Sequence, residues 1–276
     1  MNGHWANRLA GAIGGSVLGT VRYMGGLALL LAAAARCMPR TLFGKHGRSG
    51  RSALAFQCVR VGVRGVGIIC LVQLFIGITL ALQMARPLEY PYRQSATIAN
   101  IIGIAGFRML GPILAGVVLS GFAGASIAAE LGTMVVAEEI EALEATALNP
   151  IRFLVVPRML ATVAMLVLLT IISDWMIALG GYLASWATLE PKVYLGYWDR
   201  MHDQLAQRGF SDFTSGLILA AVFGVLISSI ACYEGLKVKG GAESVGRATT
   251  MTVVNSIVGI IFAACVFTMI FYAYKF

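Results

Sequence analysis

The hydrophobic pattern of the chain is a series of long apolar runs separated by short polar punctuation. Predominantly apolar stretches of about 20 residues are long enough to cross a bilayer as helices. On that criterion, spans are predicted at about Gly65–Met84, Ile98–Ala123, Val156–Trp186, Phe213–Cys232 and Met251–Tyr272. Residues 1–36 are apolar but interrupted by Arg8, Arg22 and Arg36. Their longest uncharged run, about Tyr23 to Ala35, is too short to span, so this segment is expected to lie along the membrane as an interfacial helix. A secretory signal peptide is disfavoured, because Arg22 breaks the apolar stretch and no clean cleavage site follows.

One polar island stands out. Glu130, Glu138, Glu139, Glu141 and Glu144 fall close together, out of 13 acidic residues in the whole chain. Carboxylates are costly in hydrocarbon, so the island must lie in water or against a partner. Val136, Ile140, Leu143 and Ala147 recur at helical spacing, whereas Glu138, Glu141 and Glu144 share another face. An amphipathic helix between the second and third spans is expected, ending at Asn149-Pro150.

Composition and charge agree with a polytopic membrane protein. The chain is 58% hydrophobic and 12% charged, against about 25% charged in soluble domains. The net charge of +8 is therefore read as a topology signal rather than a nucleic-acid footprint. Arg36, Arg40, Lys45, Arg48, Arg51, Arg60 and Arg64 form one basic segment, and Lys237, Lys239 and Arg247 another. Five spans with the N-terminus inside leave both on the cytoplasmic side, as the positive-inside rule requires. Residues 187–212 become an outer loop containing a short interfacial helix. The whole is one all-α domain, 1–276, divided into an interfacial and basic region, 1–64, and a five-span core, 65–276.

Candidate chemistry is sparse. Cys37, Cys58, Cys70, Cys232 and Cys265 are scattered, and His4, His46 and His202 are isolated, so no metal site is expected. There is no GxxxxGK[ST] run to cradle ATP phosphates. Gly116, Ser120, Gly124 and Ala128 form a small-residue ridge of the kind that lets another helix approach closely. Gly111-Pro112 should disturb the second span, and Arg108 lies well inside it. Such an arginine faces a cavity or a partner, and Asp174 in the third span is one candidate.

The polar island also carries a family resemblance. AELGTM at 129–134, EEIEALEATALNPIRFLVVPRMLA at 138–161, CYEGLKVKGGAESVGRATTMTVVNS at 232–256 and LGPILAG at 110–116 resemble the permeases of MCE-associated ABC transporters, the Mla type. The resemblance spans most of residues 75–276. It implies a lipid-transport permease subunit in a bacterial inner membrane, working as a homodimer with a separate ABC ATPase that carries ATP and magnesium. It also implies a periplasmic MCE-domain subunit as partner and phospholipid, or a similar amphipathic lipid, as cargo. Glu130, Met134, Glu138, Glu139, Glu141 and Glu144 would then form the ATPase-coupling region. Leu80, Leu88, Tyr90, Arg108 and Met109 would line the lipid site. Gly116, Ser120 and Gly124 would serve helix packing. No cofactor is expected on this chain.

Two positions depart from the family pattern. Family members commonly read Arg-Glu-Leu-Gly-Pro where this chain has Arg108-Met109-Leu110-Gly111-Pro112, and Gly-Arg-Ala-Gly where it has Gly121-Phe122-Ala123-Gly124. Both changes make the pathway more apolar. The alternatives are an intramembrane lipid-modifying enzyme using Asp174, Glu234 or His202, or a channel or scaffold subunit. Nothing in the sequence pairs those three residues into a catalytic group, and the spans hold few polar residues to line a water-filled pore.

Overall fold

Long helices follow from the apolar runs, since backbone polar groups in hydrocarbon must be satisfied within the segment. The computed structural model describes residues 4–43, 54–89, 97–188, 194–207 and 210–273, with side chains at 18–39, 54–85 and throughout the last three ranges. Every regular element among them is helical. We number these α1 (His4–Phe43), α2 (54–89), α3 (Ile98–Val136), α4 (Glu139–Ala145), α5 (Ile151–Thr188), α6 (Tyr197–Gln207), α7 (Ser211–Leu236) and α8 (Ala242–Ala273).

Helices α2, α3, α5, α7 and α8 are the five expected spans, and each extends beyond its apolar core into polar flanks. Helix α2 starts ahead of Arg60 and Arg64, so it crosses the expected boundary at residue 64, and it continues to Glu89 where a loop was expected.

Helix α1 is longer than the sequence suggested. Neither Arg22 nor Arg36 breaks it, and its stretch Leu18–Pro39 is a sixth segment long and apolar enough to cross a membrane. Where the sequence suggested an interfacial helix, the described contacts of this one fall at one end of the bundle. Tyr23 packs edge-on against Tyr233 and accepts a hydrogen bond from Asn255. Leu30, Ala34 and Cys37 join a cluster with Ile127, Leu131, Val155, Val156 and Cys232. Tyr23 to Cys37 covers about 21 Å of helix. All of these partners nevertheless lie at the end of the bundle that carries Arg60, Arg158 and Lys237. The positive charges mark this end as cytoplasmic.

Two close crossings set the bundle. A Cβ on Gly77 would fall 2.2 Å from the Ile177 carbonyl oxygen, and one on Gly180 the same distance from that of Leu74. These reciprocal glycines bring the backbones of α2 and α5 into contact, the small-residue logic of membrane helix packing.

The second crossing involves Pro112. Proline withholds the N–H that would continue the helical ladder, and a π turn at Gly106–Leu110 precedes it. Gly216 of α7 lies directly on the Phe107 carbonyl within that turn, where a Cβ would come within 2.1 Å.

The predicted ridge on α3 is fully used within the chain. Gly116 faces Phe223 and Ile260, Gly124 faces Ile227 and Thr252, and Ser120 and Ala128 are completely buried. The ridge thus holds α3 to α7 and α8 and is not a surface for a second copy.

Candidate functional site: an inner acidic helix and an outer arginine

At the cytoplasmic end, α3 stops at Val136 and Glu138 adopts a left-handed backbone, φ 58°. The acidic helix is consequently only α4, shorter than the sequence pattern suggested. A six-to-one bond from the Leu148 N–H to the Leu143 carbonyl and a five-to-two bond from the Ala147 N–H to the Glu144 carbonyl close it. This is the Schellman arrangement, with Ala147 at the left-handed position (φ 59°) where glycine is usual. Ala147 is therefore a terminator rather than part of the apolar face. Asn149 does not end α4 either. Its side chain accepts hydrogen bonds from the N–H groups of Ile151 and Arg152 and so caps α5.

The six residues assigned to coupling separate into two groups. Glu138, Glu139, Glu141 and Glu144 are exposed, above half-buried Ile140 and Leu143. Glu130 lies on α3 instead, paired with Arg60 and, at 3.1 Å, with Arg158, whose side chain is 7% exposed. Arg158 also donates to the Leu154 carbonyl. Met134 is half-buried against the inner core cluster. Thus Glu130 ties α2, α3 and α5 together, while the four later glutamates present charge outward. The sequence offered no sign of this triad, because its members are far apart in the chain.

Towards the other end, the π turn presents Arg108 to α7 and α8. Its Nη1 lies 3.3 Å from Asp212 Oδ1, and its guanidinium stacks over the Phe271 ring at 4.8 Å. Asp212 is 2% exposed. The neighbouring Met109 sulfur accepts a hydrogen bond from Thr268 of α8. Arg108 therefore pairs with Asp212, not with Asp174. Asp212, expected at the end of the outer loop, instead lies in the first turn of α7 at the depth of Arg108.

Of the other residues assigned to the lipid site, Leu80 is half-buried on α2, and the side chains of Leu88 and Tyr90 lie outside the described residues. The structure brings Arg108 and Met109 together, both against α8. Helix α2 turns Ile68, Leu71, Phe75 and Leu82 outward, and α8 turns Val254, Val258, Ile261, Phe262 and Met269 outward.

The residues of the enzyme alternative divide between the two ends. Glu234 accepts a hydrogen bond from Asn255 at the inner end. Asp174 and His202 border a cavity at the outer end. No group of three or more His, Cys, Asp or Glu residues able to hold a metal occurs among the described residues. Beside that cavity, Tyr197 of α6 donates to the Ala178 carbonyl, and burial raises its phenol pKa, which keeps it a neutral donor.

Comparison with known proteins fits this architecture. The family described as "Permease MlaE" matches residues 54–270. A probable ABC transporter permease protein of Rickettsia prowazekii is 35% identical over 223 residues, covering 80% of this chain and 83% of the relative. One from Synechocystis sp. is 34% identical over 220 residues, 78% of this chain and 80% of the relative. The Arabidopsis thaliana protein Trigalactosyldiacylglycerol 1, chloroplastic, is 34% identical over 218 residues, 78% of this chain and 60% of the relative. With a family match across all five spans and relatives named as permeases, the chain belongs to the MlaE family of ABC transporter permeases.

Proposed function

We propose that this permease moves phospholipid, or a similar amphipathic lipid, between a bacterial inner membrane and a periplasmic MCE-type subunit. It does so as a homodimer driven by a separate ATPase. The observation that carries the proposal is the outward-facing acidic helix α4. Four exposed glutamates stand on a short element held between two spans by strained or capped turns. A chain without an ATP-phosphate loop needs such a lever to receive motion from a partner that has one. A basic groove on the ATPase is the complementary surface.

Two further observations support the lipid part. The exposed apolar faces of α2 and α8 would line a cavity between two copies, with Arg108 and Met109 beside α8. An arginine fork at the edge of an apolar wall suits a phosphate head above acyl chains. One relative also bears the name of a glycerolipid.

The test is ATP-driven lipid transfer by the reconstituted permease and ATPase. Glu138→Lys with Glu141→Lys should cut transfer at least tenfold and weaken ATPase binding, while the permease itself keeps its thermal stability. Full transfer by that double variant would remove the lever.

A further inference from the structure

The outer end holds a feature that the transport reading leaves unused. A cavity of about 510 Å³ opens among α3, α5, α6 and α7. Aromatic rings from Phe107, Trp175, Trp198 and Phe213 form much of its wall, and two carboxyl groups, Asp174 and Asp199, contribute to it. Among its described lining side chains only His202 can carry positive charge, and that residue lies on the exposed face of α6 beside Asp203.

Asp174 is the anomaly. It is 1% exposed, and neither carboxyl oxygen has a hydrogen-bond partner among the described residues. Its Oδ1 rests against the Cα of Gly111, where a Cβ would come within 2.0 Å. Both nearby donors are directed elsewhere: Gln73 and Ser173 each donate to the Gly111 carbonyl. Arg108 is paired with Asp212. A buried carboxyl without a partner is costly, and proteins rarely keep one without a reason.

Acid groups set among aromatic rings, with no fixed lysine or arginine among the described lining residues, are the chemistry that recognises an organic ammonium group. Ring faces attract the cation, and a carboxyl supplies the counter-charge. The volume falls in the ordinary range for a small-ligand pocket, roughly 300–1,000 Å³. That accommodates one chain with a compact head better than a whole two-chain lipid. We propose that this cavity binds the ammonium head and upper chain of a single-chain amphiphile, with Asp174 at its floor and Trp175 and Trp198 against the cation. The source can be an ammonium-headed membrane lipid or a free cationic amphiphile. The site is separate from the Arg108–Asp212 pair and stands independently of the phospholipid reading.

The test uses the permease–ATPase complex in phosphatidylglycerol nanodiscs, which contain no ammonium head. Three chain-matched probes carry a photoreactive diazirine: a lysophosphatidylethanolamine, an alkyltrimethylammonium and an alkyl alcohol. Labelled residues are mapped by mass spectrometry. Either ammonium probe should label the peptides around Trp175 and Phe213 at least tenfold more than the alcohol. Labelling by the lysolipid alone identifies a membrane lipid as the source; labelling by the alkylammonium alone identifies a free amphiphile. Asp174→Asn, which keeps the shape and removes the charge, should reduce the ammonium signal to near the alcohol level. Leu205→Trp fills the cavity from α6 and should suppress the probes that label it. Equal labelling by ammonium and alcohol probes would overturn the proposal. So would an ammonium preference that survives Asp174→Asn in a complex that still assembles.

Discussion

At the scale of single residues, Arg108, Asp212, Glu130 and Arg158 are held by partners from other helices, whereas Asp174 is not. Asp212 is nearly inaccessible, and Arg108 supplies its counter-charge. Removing one member of a buried pair leaves the other uncompensated, at a cost of about 3–5 kcal/mol. Asp212→Leu should therefore destabilise the permease by about that amount in denaturant titrations, and adding Arg108→Met should recover most of the loss. Glu130 calls for a different expectation from the acids that follow it. Glu130→Gln breaks the link among Arg60, Arg158 and α3, so it should lower thermal stability. Glu141→Lys should leave stability unchanged and weaken ATPase binding, as measured by co-purification.

The residue scale is also where sequence was least informative. Arg108 could be identified as needing a partner, because a lone arginine in a span is costly. The identity of that partner depends on how far α7 is displaced along α3, and one-dimensional periodicity carries no such information. Asp174 was an equally charged and equally membrane-embedded candidate. What excludes it is the direction in which the π turn at Gly106–Leu110 aims the arginine.

At the scale of elements, the spans were legible because a run of apolar residues leaves the backbone little choice but a helix. The acidic helix was legible in place but not in extent. The alternation around Val136 and Ala147 looked helical, yet Glu138 and Ala147 both take left-handed backbones and cut the element short. Non-glycine residues pay roughly 1–2 kcal/mol for that conformation. Ala147→Gly should consequently raise the melting temperature while leaving ATPase binding intact. The α2–α5 crossing makes the opposite prediction. Gly180→Val drives a branched side chain into the Leu74 carbonyl and should prevent stable folding, seen as loss of the monodisperse peak in size-exclusion chromatography.

At the scale of the whole molecule, charge separates the two ends of the bundle. Positive residues from α2, α5 and the α7–α8 connection gather at one end, together with the contacts of α1 and the acidic helix. Gly116 and Gly124 of the ridge face side chains of α7 and α8 of the same chain. The case for a homodimer rests instead on the apolar faces of α2 and α8, which no described helix covers. On α8, Thr268 and Phe271 meet Met109 and Arg108.

We propose that this chain is the membrane half of an ATP-driven lipid transporter. The most direct test is mild-detergent purification from its native membrane, followed by mass spectrometry of everything that accompanies it. A P-loop ATPase, an MCE-domain protein and bound phospholipid should accompany it, with two copies of this chain per complex. Recovery of the chain without an ATPase, even after crosslinking from positions 138–144, would contradict it.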